Sequence, residues 1–223
     1  MKRVLEPELM TERAQARAYA EADFSEPHSR YVALLLEKFP DLPPRGRALD
    51  LGCGPGDVTR RFARACPGYE IVAVDGSPAM LREARRLTQP WPDLRARIRY
   101  RLGRLPGARL PRGPYDVILA TSFLHHLADP MVLWNAVRQY GGTGTVVMVA
   151  DLRRPRTVQE ARRLTERYAA GAPEVLRRDF YRSLLAAFTP AEVSAQLRAA
   201  GLGGFTVEVI SDRHLFVSGR LNE

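Results

Sequence analysis

What the chain lacks narrows its class first. Its 223 residues include only two cysteines, Cys53 and Cys66. Two are too few for a disulfide framework, and they lack the C-x-x-C spacing of a redox or zinc pair. Neither is read as a nucleophile, and a reduced, cytoplasmic setting is expected. No stretch approaches the roughly 18 consecutive apolar residues of a spanning helix, so no membrane partner is expected. The opening Met1-Lys2-Arg3-Val4-Leu5-Glu6-Pro7-Glu8 has no apolar core, so no signal peptide is expected. Internal repeats and low-complexity segments are missing. Lysine is nearly missing too: Lys2 and Lys38 are the only lysines among 34 basic residues, and the rest are arginine. A net charge of +9 suggests an anionic partner. The arginines are spread along the chain, however, and so complete a skew reflects coding bias as much as electrostatics. A solvated surface is therefore preferred to a nucleic-acid face, and no OB or KH pattern accompanies it.

What is present is an α/β alternation. Apolar residues make up 45% of the chain, enough for one domain over residues 1–223 with a sizeable core. Helices are expected over 8–23 and 27–39, together an N-terminal cap over 1–45 that ends in the turn Pro43-Pro44-Arg45-Gly46. Strands are expected at 47–51, 71–75, 98–102, 115–120 and 144–150, with helices at 57–66, 78–88 and 129–140 between them. Ser77-Pro78 supplies an N-cap followed by proline at the first helical position. Thr157-Val158-Gln159-Glu160 and Thr189-Pro190-Ala191-Glu192 read as capping boxes. The first opens a helical insert over 152–188, and a hairpin at 205–210 and 214–219 closes the chain. Apolar strands alternating with helices imply a doubly wound, mostly parallel sheet whose ligands bind at the carboxyl ends of its strands. The insert begins at that edge and can cover a pocket there.

The chemistry centres on Asp50-Leu51-Gly52-Cys53-Gly54-Pro55-Gly56-Asp57, a strand running into a G-x-G-x-G turn and a helix. A dinucleotide turn wants G-x-G-x-x-G, with its third glycine at 57. Asp57 stands there instead, and an acid at a helix start repels a pyrophosphate. A phosphate-free cofactor with a positive end suits the turn better. Asp75 ends the next strand, about twenty residues on, where a carboxylate accepts both ribose hydroxyls.

These residues resemble the first two motifs of the class I S-adenosylmethionine-dependent methyltransferases. Ala48 to Gly56 matches the first motif and Ile71 to Met80 the second. Tyr115-Asp116-Val117-Ile118 through Leu124-His125-His126-Leu127 is similar to the fourth-strand motif. The likeness covers about 46–151 closely and points to the small-molecule branch that includes the trans-aconitate methyltransferases. It implies a seven-stranded Rossmann-like sheet with the last strand antiparallel. It also implies S-adenosylmethionine as cofactor. Gly52, Gly54 and Gly56 would line its methionine and ribose, Asp50 would help hold the methionine end, and Asp75, with Gly76 and Ser77, would take the ribose. Met80 would lie near adenine, although plain core packing suits it as well. Thr121, Ser122 and His125 would face the methionine and the methyl, and Tyr19 and Phe24 would close over the cofactor. Arg104 and Leu105 occupy the place where many relatives carry an adenine-binding Asp. Arginine cannot accept that hydrogen bond, so backbone and apolar contacts are expected to hold the base.

His125 is also the candidate general base, against a structural role in the loop. No metal is expected, because no spaced Cys or carboxylate set joins His125-His126. The acceptor is expected to be a small molecule, anionic if an insert arginine clamps it. Arg153, Tyr168, Asp179 and Tyr181, with His214 on the hairpin, are the candidate acceptor contacts. Three alternatives remain: an RNA methyltransferase, a cofactor-binding protein without turnover, and a nicotinamide enzyme.

Overall fold

The apolar strands become one seven-stranded sheet in the order β3-β2-β1-β4-β5-β7-β6. In chain order the strands are β1 (Gly46–Leu51), β2 (Tyr69–Asp75), β3 (Ile98–Leu102), β4 (Val117–Thr121), β5 (Val146–Leu152), β6 (Thr206–Val209) and β7 (His214–Arg220). The computed structural model describes residues 1–6 and 10–222. Strands β1 to β5 pair in parallel, and β7 runs antiparallel to both β5 and β6. The order reverses between β1 and β4, which places the switch point beside the glycine turn.

The fully apolar strands are those with both faces covered. Leu49, Leu51, Ile118, Val147, Val149, Leu215 and Val217 face one layer. That layer holds Trp134 and Val137 of α6 (Met131–Tyr140) and Val193 and Leu197 of α9 (Pro190–Ala199). Their neighbours Ala48, Ile71, Ala73, Leu119, Met148 and Phe216 face the other layer. There they meet Tyr31 and Leu35 of α2 (Ser25–Lys38), Phe62 of α3 (Asp57–Ala65) and Leu81 of α4 (Pro78–Thr88). Two-residue alternation along each strand makes this division.

The first helix, α1 (Arg13–Glu21), packs beside α4. It is shorter than the 8–23 expected, and residues 8 and 9 lie outside the described ones. A short helix that periodicity did not reveal, α5 (Pro92–Arg97), starts on Pro92 and buries only Leu94. Strand β5 runs two residues beyond the expected end, so Asp151 and Leu152 belong to it.

The insert forms α7 (Val158–Ala169) and α8 (Glu174–Ala186), which pack around Leu152, Ala161, Leu164, Leu184 and Ala187. Thr189 and Glu192 close a reciprocal capping box. The first box closes on one side only. Thr157 Oγ1 accepts from Glu160 N at 3.1 Å, while Glu160 Oε2 accepts from Arg156 N at 2.9 Å. Among the described residues no helix is long and apolar enough to cross a membrane.

Candidate active site

At the switch point the glycine turn is held open by its own backbone. Gly52, Gly54 and Gly56 all take positive φ, 72°, 53° and 74°. Each has a different reason to lack a side chain. A Cβ on Gly52 would stand 2.4 Å from the Phe123 ring, and one on Gly56 would stand 2.5 Å from Tyr100 Oη. At Gly54 no atom lies within 4 Å of such a Cβ, so the backbone there is bare toward the cavity. Gly54 N donates to Asp75 Oδ2 at 2.8 Å, and Ser77 N donates to Asp75 Oδ1 at 2.7 Å. Both oxygens keep lone pairs for further donors. Burial raises the Asp75 pKa, while those two backbone donors pull it back.

Asp50 lies beneath the turn, fully buried. Thr59 Oγ1 donates to its Oδ2 at 2.5 Å, and its Oδ1 has no partner. Burial pushes this carboxyl up to about 7. A folded-state pKa raised above the usual carboxylate value favours the fold at low pH and withdraws that support as pH climbs. The expected result is that wild-type stability, relative to Asp50→Asn, falls between about pH 4 and pH 7 and levels off above. Paired thermal melts across that range check this. A constant difference would mean that Asp50 does not titrate inside the fold.

A cavity of about 800 Å³ extends from the turn, within the usual size range of ligand sites. Gly52, Gly54, Asp75, Gly76, Ser77, Met80, Thr121, Ser122 and His125 line it, as do Tyr19 and Phe24. Ser77 caps α4 by accepting from Met80 N at 3.2 Å. Met80 is therefore both core and wall. Ser122 has φ 49°, a strained conformation for a residue with a side chain, at the carboxyl end of β4. Tyr19, Phe24, His28, Tyr31 and His214 form a chain of ring contacts along the cavity, with successive ring centroids 4.9, 5.3, 5.8 and 5.6 Å apart; the first three pairs are tilted and Tyr31–His214 is edge-on.

Several expected contacts are displaced. Gly56 does not line the cavity; it serves the turn and gives way to Tyr100. Asp50 lies behind the wall. Arg104 and Leu105 are absent from the lining, because β3 ends at Leu102 and Leu105 then packs on the core. Tyr181 packs against the insert's own core. Arg153 turns to the loop before β7, its backbone N–H donating to Arg213 O at 2.9 Å and its side-chain Nε to Ser211 O at 3.4 Å. Tyr168, Asp179 and His214 do reach the cavity. Asp179 is clamped by Gln15 Nε2 at 2.6 Å, which fastens α1 to α8. Tyr168 Oη donates to Asp212 Oδ2 at 2.8 Å, and the Arg213 guanidinium lies 3.4 Å above its ring. Burial pushes His214 down to about 3, so it is neutral at pH 7.

The acid at 57 is not the bare charge the sequence suggests. His28 Nδ1 lies 2.8 Å from its Oδ2 and Arg61 Nε 2.9 Å. Burial opposes the charge, yet these partners hold the carboxyl well below its usual range. Repulsion of a pyrophosphate by Asp57 is therefore largely cancelled, and the glycine spacing with Asp75 carries the cofactor argument.

The methyl end holds what sequence reasoning missed. His125 Nδ1 lies 2.5 Å from Asp151 Oδ1, and His125 N donates to Asp151 Oδ2 at 3.2 Å. Burial opposes charge on His125, but Asp151 prevails and raises its pKa. The first six residues cross this loop. Arg3 donates to His125 O at 2.8 Å and Leu127 O at 2.9 Å, and Glu6 accepts from Ser183 Oγ at 3.0 Å.

This geometry has counterparts. Residues 49–147 match the family described as methyltransferase domain. The sequence and the fold are similar to those of S-adenosylmethionine-dependent methyltransferases. The trans-aconitate 2-methyltransferase of Methylobacterium radiotolerans is 33% identical over 117 residues, 52% of this chain and 36% of that one. That of Methylobacterium nodulans is 31% identical over 193 residues, 80% of this chain and 65% of that one. The chain thus spans from about a third to just under two thirds of these curated methyltransferases. The plantazolicin methyltransferase BpumL, solved with S-adenosylhomocysteine, shares the fold at TM-score 0.68 and 14% identity, over 95% of this chain and 96% of that one. The residues here fit the cofactor of those methyltransferases, S-adenosylmethionine: a bare turn at Gly54 and a carboxylate with spare lone pairs at Asp75.

Proposed function

We propose that this chain transfers the methyl group of S-adenosylmethionine to an oxygen of a small, carboxylate-bearing acceptor. One observation carries the reading: a single cavity joins the Gly54–Asp75 seat to His125 and to the two-helix insert. The methyltransferase relatives of M. radiotolerans and M. nodulans, named for trans-aconitate, point to the acceptor class. The bound cofactor supplies an electrophilic methyl on a good leaving group. The chain supplies position. Asp75 takes the ribose, and the turn allows close backbone approach. Tyr19 and Phe24, from a cap over 1–45, and the lid over 152–188 exclude water from the two reactants.

A carboxylate acceptor is already ionised at neutral pH, so no base has to remove a proton. His125, with its pKa raised by Asp151, serves instead as a cationic group that orients the acceptor. Arg213, Tyr168 and His214 line the same cavity and are the candidate contacts for the acceptor's far end. The whole chain acts as one catalytic domain in the cytoplasm.

The test is incubation with methyl-labelled S-adenosylmethionine and a panel of di- and tricarboxylates, trans-aconitate included, alongside their amides and RNA. Label is expected in a carboxylate ester and not in the amides. Label confined to RNA, or S-adenosylhomocysteine release with none of the carboxylates, contradicts the proposal.

A further inference from the structure

A second constellation sits where the first six residues meet the His125-His126 loop. Glu6 Oε1 lies 3.4 Å from His125 Nε2 and 3.2 Å from His126 Nδ1. All three ligand atoms fall within 4.8 Å of one another. The side chains are withdrawn from solvent, with 7%, 3% and 15% of their surface exposed. Buried imidazole and carboxylate atoms so close together are normally joined by directed hydrogen bonds. Here His126 Nδ1 is buried without a hydrogen-bond partner, although the Glu6 oxygen is within reach. Both imidazole nitrogens face the same Glu6 oxygen.

We propose that Glu6, His125 and His126 form a binding site for a divalent transition-metal ion such as Zn²⁺. Two imidazole nitrogens and one carboxylate oxygen form a borderline donor set that suits such an ion. In a tetrahedron with ligands about 2.0–2.1 Å from the metal, neighbouring ligand atoms stand about 3.3 Å apart. The two Glu6 contacts, 3.4 and 3.2 Å, match that edge. The supporting contacts are in place as well. Asp151 Oδ1 is 2.5 Å from His125 Nδ1, which leaves Nε2 as the ligand; the ion takes the place of the Nε2 proton, so His125 is itself the cationic group only when the ion is absent. Ser183 Oγ donates to Glu6 Oε1 at 3.0 Å and keeps that carboxylate in position. Arg3, the nearest cation on the same segment, is committed to the carbonyls of His125, Leu127 and Ala186.

Three protein ligands leave a fourth position, as in catalytic rather than structural zinc sites. His125 and His126 both line the cavity, so that position opens toward the acceptor side. An anionic acceptor oxygen would complete the set. Only this last clause rests on the proposed function; the ion itself does not.

The test uses the full chain, stripped of metal by chelation, with no cofactor or acceptor added. Calorimetric titration with ZnCl₂ is expected to show one site at neutral pH. Glu6→Gln and His126→Asn are each expected to raise its Kd at least tenfold, and Asp151→Asn about 10- to 100-fold. Titration with Co²⁺ is expected to give the visible absorbance of a four-coordinate ion, lost in Glu6→Gln. Unchanged circular dichroism and S-adenosylmethionine binding in these variants would show that the fold is intact. Failure of the wild type to bind Zn²⁺, or equal affinity in wild type and Glu6→Gln, overturns the proposal. Either result leaves methyl transfer untouched, since the acceptor panel reads that separately.

Discussion

Asp75→Ala is expected to weaken S-adenosylmethionine binding by more than tenfold. The side chain has two tasks at the seat. Its oxygens already accept from Gly54 N and Ser77 N, which fixes both the turn and the start of α4. Their remaining lone pairs are the ribose acceptors. Hydrogen bonds to a charged group contribute about 1.5–3 kcal/mol, and this variant removes the acceptor for two of them. It also frees Gly54 N, whose acceptor is Asp75 Oδ2. Asp75→Asn keeps one acceptor oxygen and should fall between the two. The check is calorimetric titration, with thermal stabilisation by the cofactor as a second readout. Wild-type affinity in Asp75→Ala would show that the ribose binds elsewhere.

Asp151→Asn is expected to lower kcat/KM for the acceptor by about 100-fold, within the range of positioned acid–base and electrostatic groups. The cofactor's Kd should be nearly unchanged. Asp151 is fully enclosed at the end of β5, where it accepts from His125 N and from Leu152 N at 2.6 Å. Its other role is to fix the His125 ring and hold it charged. Asparagine keeps an acceptor oxygen for the ring but not the charge, so the largest influence that raises the His125 pKa is lost. The two readouts separate this from simple unfolding: a damaged fold loses cofactor affinity as well. Acceptor kinetics like the wild type's would remove the Asp151–His125 pair from the reaction.

Much of this site was legible before the fold. The G-x-G-x-G turn and Asp75 are adjacent in sequence terms, separated by one helix and one strand, and local pattern suffices to place them. Ser77, Thr121 and Ser122 follow because strand ends at a switch point converge. Other readings failed for physical reasons. Gly56 looks like its neighbours in the motif, yet it serves close packing against Tyr100, which no local pattern announces. Arg104 follows the sheet's edge strand, where the chain turns away, and the position of a motif does not report that turn. Tyr181 has the spacing of a cavity residue but faces the insert's own core.

The methyl end was the least legible. In the sequence Asp151 falls just after the expected fifth strand, but β5 runs through it and directs it at His125. Glu6 lies far upstream of both histidines, and only the fold brings them together. Asp57 shows the reverse: its charge is plain in the sequence, but His28, whose Nδ1 lies 2.8 Å from its Oδ2, comes from the N-terminal cap.

The measurement that bears most directly on the glycine turn as an adenosyl seat is a paired calorimetric titration of the wild-type chain with S-adenosylmethionine and with NAD. One site is predicted for S-adenosylmethionine, with no heat of binding from NAD. Tight binding of NAD, with none of S-adenosylmethionine, would contradict the account.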